Sequence, residues 1–181
     1  MGDFHWTFGS WLMFLLYIFA SVSGWRLAEI VRRTIGYRTL RERTIWQMES
    51  ILVFALAANT AVNGIGRLTA LFRTTAMASA WYANRAPIQT HLIGLLLGAF
   101  VITAAVSLYW ARVVSRPALL ALLVSLLLIT FILVRAVSLH AVDQIIFMRI
   151  LGVTFSSMIE AGSIATILVL IFWRRAQVAA H

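Results

Sequence analysis

Residues 135–160, RAVSLHAVDQIIFMRILGVTFSSMIE, gather arginine, histidine, aspartate and glutamate between two long apolar runs, in a chain whose charged residues are only 12% of its length. Glu160 lies about ten residues into the last of those runs, which on this reading is close to mid-bilayer. An acidic side chain at that depth costs at least ~2.5–3.5 kcal/mol on insertion scales, so it must face protein or water. Gly152, Ser156, Glu160 and Ser163 follow at spacings of four, four and three, one polar small-residue stripe if the segment is helical.

An earlier run carries a comparable stripe, Ala55, Asn59, Asn63 and Arg67, each four residues from the next. Glu49 lies off it, ten residues before Asn59 and roughly 80° round a helix of 3.6 residues per turn. The sequence predicts that the two stripes face each other, with Asn59 and Asn63 near the depth of Glu160. Two readings stay open. The stripes line a polar pocket that binds a small ligand or relays a proton or ion, or they are interhelical hydrogen bonds worth ~0.6–2 kcal/mol each that fix helix pairing.

The histidines suggest a different chemistry. His5, His91 and His140 fall on one side of the predicted topology, and His140 with Asp143 is an i, i+3 pair that shares a helical face. Imidazole and carboxylate in that arrangement can hold a divalent metal, and two histidines can serve as axial ligands to haem. The same residues also suit simple interfacial hydrogen bonding, with Asp143 paired to Arg135 or Arg149. His181 is the last residue.

Composition narrows the classes. The 181 residues are 62% hydrophobic with a mean hydropathy of +0.92, against roughly 45–50% apolar residues in soluble domains. Most of the chain must lie in lipid as a single unit over 1–181. All fifteen basic residues are arginine, so a lysine Schiff base and the lysine of a phosphate-binding loop are both excluded. With no cysteine there is no disulfide, thiolate nucleophile, iron–sulfur ligation or thiolate zinc site. The formal charge of +9 is that of arginines flanking membrane spans, and no nucleic-acid partner is expected.

The elements that would position these residues are five membrane helices, at about 8–25, 45–65, 90–111, 117–134 and 150–173. Four is the alternative if the second, which contains Glu49, Asn59, Thr60 and Asn63, is re-entrant. The fold class is therefore all-α, a polytopic helical bundle. Residues 67–87, with arginines among Leu68, Leu71, Phe72, Trp81 and Tyr82, predict an interfacial helical segment ended by Pro87. Pro117 suits the first turn of the fourth span, which forms a tight hairpin with the third. Residues 1–10 carry Asp3, His5 and Trp6 but no basic residue, unlike the start of a cleavable signal.

Orientation follows from the arginines. With the N-terminus outside, ten fall inside and five outside, which favours N-out, C-in. Trp25, Trp46, Tyr109, Trp110 and Trp173 then fall at inner ends, with Trp6, Trp81 and Tyr82 at the outer side. The densest basic segment includes Arg32, Arg33, Arg38, Arg41 and Arg43, a loop that can attract anionic lipid headgroups. Glu42, within that loop, is expected to tolerate substitution. Gly94 with Gly98, and Ala20 with Gly24, are small-xxx-small pairs that allow close helix approach, within the chain or between copies of it.

With nearly all residues committed to spans, the function expected is non-enzymatic: a small bundle, of the bacterial cytoplasmic membrane, that binds or transports a small ligand or proton at Glu160, Ser156, Ser163, Asn59, Asn63 and Glu49. The alternatives are a haem- or metal-binding redox component using His5, His91, His140 and Asp143, and an accessory subunit of a larger membrane complex. An intramembrane hydrolase or transferase would need a marked nucleophile, and none stands out.

Overall fold

The computed structural model describes residues 8–33, 37–64, 66–67, 70–71, 74–75, 85–110, 114–137, 149–150 and 153–180. Five long helices account for most of them: α1 (Phe8–Arg33), α2 (Tyr37–Val62), α3 (Arg85–Trp110), α4 (Arg116–Val137) and α5 (Phe155–Ala179). All five are long and apolar enough to cross a membrane. The chain is thus a helical bundle of the multi-pass membrane class. At ~1.5 Å per residue the 26-residue helices α1 and α2 reach ~39 Å, longer than the ~30 Å hydrocarbon layer, so their ends project or the helices tilt.

That length changes the basic segment. Sequence periodicity predicts a loop over 26–43, whereas α1 continues to Arg33 and α2 begins at Tyr37, so most of its arginines sit on helical extensions. Arginine is a good helix former, and nothing in these turns breaks the ladder. Pro87 likewise does not stop a helix. It is the third residue of α3, where its missing N–H costs no intrahelical bond. Pro117, the second residue of α4, is fully buried in the position expected of it.

The start of the last helix also moves. Arg149–Ile150 (β1) and Val153–Thr154 (β2) form a short antiparallel pair, Arg149 opposite Thr154, and α5 begins only at Phe155. Thr154 is its N-cap: the backbone is extended there, and the side-chain oxygen accepts from the Ser157 N–H at 3.4 Å. Glu160 is consequently the sixth residue of α5, ~7.5 Å of helix from its start and nearer one end than the middle.

Four helices enclose the core. α1 contributes Tyr17, Ala20, Leu27, Ala28 and Val31, and α2 contributes Trp46, Val53 and Ala57. α4 supplies Ala118, Ala121, Leu128 and Ile132, and α5 supplies Ile164, Ile167, Leu170 and Ile171. The spacings within each set are mostly three, four and seven residues, the signature of one buried helical face. α1 and α2 pack most closely. A Cβ built on Gly24 would lie 2.6 Å from Ser50 Oγ, and the Ser21 hydroxyl donates to the Ser50 carbonyl at 2.8 Å. The Ala20 and Gly24 pair therefore serves packing within the chain.

α3 stands apart, packed against α4 with most of its apolar side chains exposed. Its Thr103 and Ser107 hydroxyls donate to the carbonyls four residues back, which satisfies them without a neighbour. Among the described residues, no atom comes within 4 Å of a Cβ built on Gly94 or Gly98, so their face is open there.

Candidate functional site

Three helices converge on Glu160. From α5 itself comes Ser156, one turn earlier, buried, donating to Glu160 Oε1 at 3.3 Å. From the last turn of α4 comes Arg135, whose Nη1 lies 2.9 Å from Glu160 Oε1 and 2.7 Å from Ser156 Oγ. From α1 comes Tyr17, 1% exposed, whose hydroxyl donates to Glu160 Oε2 at 3.4 Å. Both carboxylate oxygens thus have donors. The side chain of Glu160 is 18% exposed and that of Arg135 38%, so the carboxylate is enclosed while the guanidinium reaches the surface.

The arrangement follows from direction and length. α5 packs against both α1 and α4, so the second turn of α5, the last turn of α4 and the first half of α1 meet at one end of the bundle. Arginine is long enough to reach across a helix contact with its planar fork, and a buried carboxylate requires such a donor. Chemically, this is a compact ionic cluster with a phenol, a carboxylate, a hydroxyl and a guanidinium in hydrogen-bond contact. It can exchange a proton along the phenol and carboxylate, or hold a small polar ligand against the guanidinium.

Of the residues selected by sequence, Ser156 and Glu160 are brought together, and Ser163 is half-buried on the same helix. Gly152 lies outside the described residues. The facing of the two stripes is not what the structure has. α2 packs on α1 and α4, and its buried face is Glu42, Trp46, Glu49, Ser50, Val53 and Ala57. Asn59 and Asn63 are half-buried, while Ala55 and Arg67 are exposed. Asn63 lies just past the end of α2 with φ of 49°, a left-handed conformation that asparagine tolerates, and its carbonyl accepts from the Arg67 N–H at 3.0 Å. Its backbone role explains an asparagine there. Glu49, off the stripe by sequence, is on the packed face.

Sequence reasoning missed a second ionic cluster at the opposite end. Glu42 is 4% exposed and accepts from Arg174 through Nε at 2.6 Å and Nη2 at 2.9 Å, a bidentate pair between α2 and α5. Ser115, at the start of α4, donates to Glu42 Oε1 at 2.7 Å, and Trp46 Nε1 does so at 3.3 Å. Glu42 is therefore a core residue rather than a loop residue, and Trp46, 0% exposed, belongs to the core rather than to an interfacial belt. A signal was present: Glu42, Trp46 and Glu49 are spaced i, i+4 and i+7, one helical face.

The outer histidines divide differently. His5, His140 and Asp143 lie outside the described residues. His91 is exposed on α3, its Nδ1 2.6 Å from the Pro87 carbonyl. No group of three metal-ligating side chains occurs among the described residues.

Fold and clusters together define a class: a multi-pass membrane protein built as a helical bundle, with carboxylates enclosed between its helices and arginines set against them. Compared with protein-family models, with curated proteins and with solved structures, the chain matches none.

Proposed function

We propose that this protein is a small, non-catalytic bundle of a bacterial cytoplasmic membrane, oriented N-out and C-in, that binds a small ligand or passes a proton at Glu160. The observation that carries the reading is the meeting of Tyr17, Arg135, Ser156 and Glu160 from three helices, beneath an arginine that is 38% exposed. A carboxylate used only to pair helices needs one strong donor; here a phenol and a guanidinium approach opposite oxygens, so the carboxylate touches one group that can exchange a proton and one that can hold an anion. The exposed arginines on the extensions of α1 and α2, Arg32, Arg33 and Arg41, favour the anionic headgroups of the inner leaflet on this topology.

The test is flux and binding in sealed vesicles. Wild-type protein should relax an imposed pH gradient, read by a trapped dye, faster than protein-free vesicles, or be stabilised by small carboxylates or phosphate. Glu160→Gln should remove the effect and Glu29→Gln, on an exposed surface pair, should not. Wild-type behaviour equal to Glu160→Gln in both assays would defeat the proposal.

A further inference from the structure

Glu49 is enclosed by the same bundle, yet its surroundings differ from those of the other two enclosed carboxyls. Glu160 has Arg135 beside it and Glu42 has Arg174. Glu49, 2% exposed, accepts from the Ser125 hydroxyl at Oε1, and its Oε2 is buried with no hydrogen-bond partner among the described residues. None of the ion pairs between described residues includes it.

Among the described side chains, the other charged and titratable groups on the packed helices are placed elsewhere. On α1, Tyr17 is engaged at Glu160, Glu29 pairs with Arg32, and Arg26 and Arg33 are exposed. On α4, Arg135 is bound at Glu160 and Arg116 is exposed. On α2 itself, Glu42 is held by Arg174 and Arg41 is exposed; Arg43, half-buried with its Nε unpartnered among the described residues, lies six residues before Glu49, about 120° round the helix and ~9 Å along it.

A carboxylate with one hydroxyl donor and no counter-charge is the form that burial disfavours most, because its desolvation is not offset by any opposite charge. A neutral carboxylic acid suits the same atoms. Its O–H, on Oε1, donates to Ser125 Oγ, and Oε2 becomes a carbonyl oxygen, which tolerates the lack of a donor far better than an anionic oxygen does. We propose that Glu49 holds a proton in the folded protein and, with Ser125, forms a second proton-binding site at the contact of α2 and α4. The balance is simple: the carboxylate takes one proton from water on folding, the O–H bond is the only bond formed, and unfolding returns the proton. This site does not rest on the Glu160 reading, since α2 contributes no side chain to the hydrogen bonds described there.

Infrared spectroscopy in lipid vesicles at neutral pH tests it directly, because a carboxylic acid has a carbonyl stretching band that a carboxylate lacks. Carboxyl-labelled glutamate assigns that band, and the chain has only four glutamates. The wild type should show one labelled acid band that disappears in Glu49→Gln, persists in Glu160→Gln and Glu42→Gln, and changes frequency in Ser125→Ala as its hydrogen-bond partner is lost. A wild type with no acid band at neutral pH overturns the proposal without recourse to any variant. So does a band that survives Glu49→Gln or that is lost with Glu160→Gln, and an unchanged frequency in Ser125→Ala removes Ser125 from the site.

Discussion

Glu42 and Glu29 both pair with arginine on helices that border the basic end of the bundle, and their environments give them opposite weight. Glu42 is 4% exposed and its bidentate partner Arg174 has a side chain only 19% exposed, so Glu42→Gln leaves an enclosed guanidinium without its counter-charge. The expected cost is about 3 kcal/mol, read as a lower midpoint of unfolding in detergent. Glu29→Gln should cost less than ~1 kcal/mol, because that pair is i, i+3 on a surface with side chains 52% and 38% exposed. Equal midpoints for the two variants would show that the Glu42 cluster contributes nothing to the bundle. The sequence places Glu42 among five arginines within ten residues on either side, and local charge alone therefore reads as a solvated loop. What it hides is the partner 132 residues away, since an ion pair across a bundle depends on which helices are neighbours.

At the scale of elements, helix existence was legible and helix pairing was not. Long apolar runs must form helices in lipid because no other open structure satisfies the backbone, so the five spans could be read directly from hydropathy. Which faces meet is decided by small differences between alternative packings. The stripe of Asn59 and Asn63 looked like an interface, yet the serine, glutamate and alanine face of α2 is the one that α1 and α4 cover. At Gly24 the α1 and α2 contact makes a sharp prediction. Gly24→Ala brings its Cβ into Ser50 Oγ and should destabilise by ~1–3 kcal/mol, whereas Gly94→Ala and Gly162→Ala meet nothing within 4 Å among the described residues and should be neutral or stabilising by up to ~1 kcal/mol. Ser50→Ala removes the obstructing oxygen and leaves Gly24's remaining neighbours at 3.6 Å and 3.8 Å, ordinary contact distances. The Gly24→Ala/Ser50→Ala double variant should therefore be more stable than the sum of the single changes allows, and strict additivity in thermal unfolding would argue against this contact.

For the whole molecule, two ionic clusters fix which helix ends lie together. Glu42, Ser115 and Arg174 join the start of α2, the start of α4 and the end of α5, while Tyr17, Arg135 and Glu160 join α1 to the end of α4 and the start of α5. The end marked by Glu42 also carries Arg26, Arg32, Arg33, Arg41, Arg43, Arg116 and Arg175, and the end marked by Glu160 is poorer in positive charge. Arginine that remains exposed at one end resists translocation, so that end should face the cytoplasm, with Glu160 toward the outside. The chain has no cysteine, which makes the orientation simple to read. Single cysteines at Ser10, on the first turn of α1, and at Ala179, at the end of α5, should label oppositely in intact cells with an impermeant thiol reagent. Ser10→Cys should react from outside and Ala179→Cys only after the membrane is opened. The reverse pattern would put the arginine-rich end outside and move the Glu160 cluster to the cytoplasmic side.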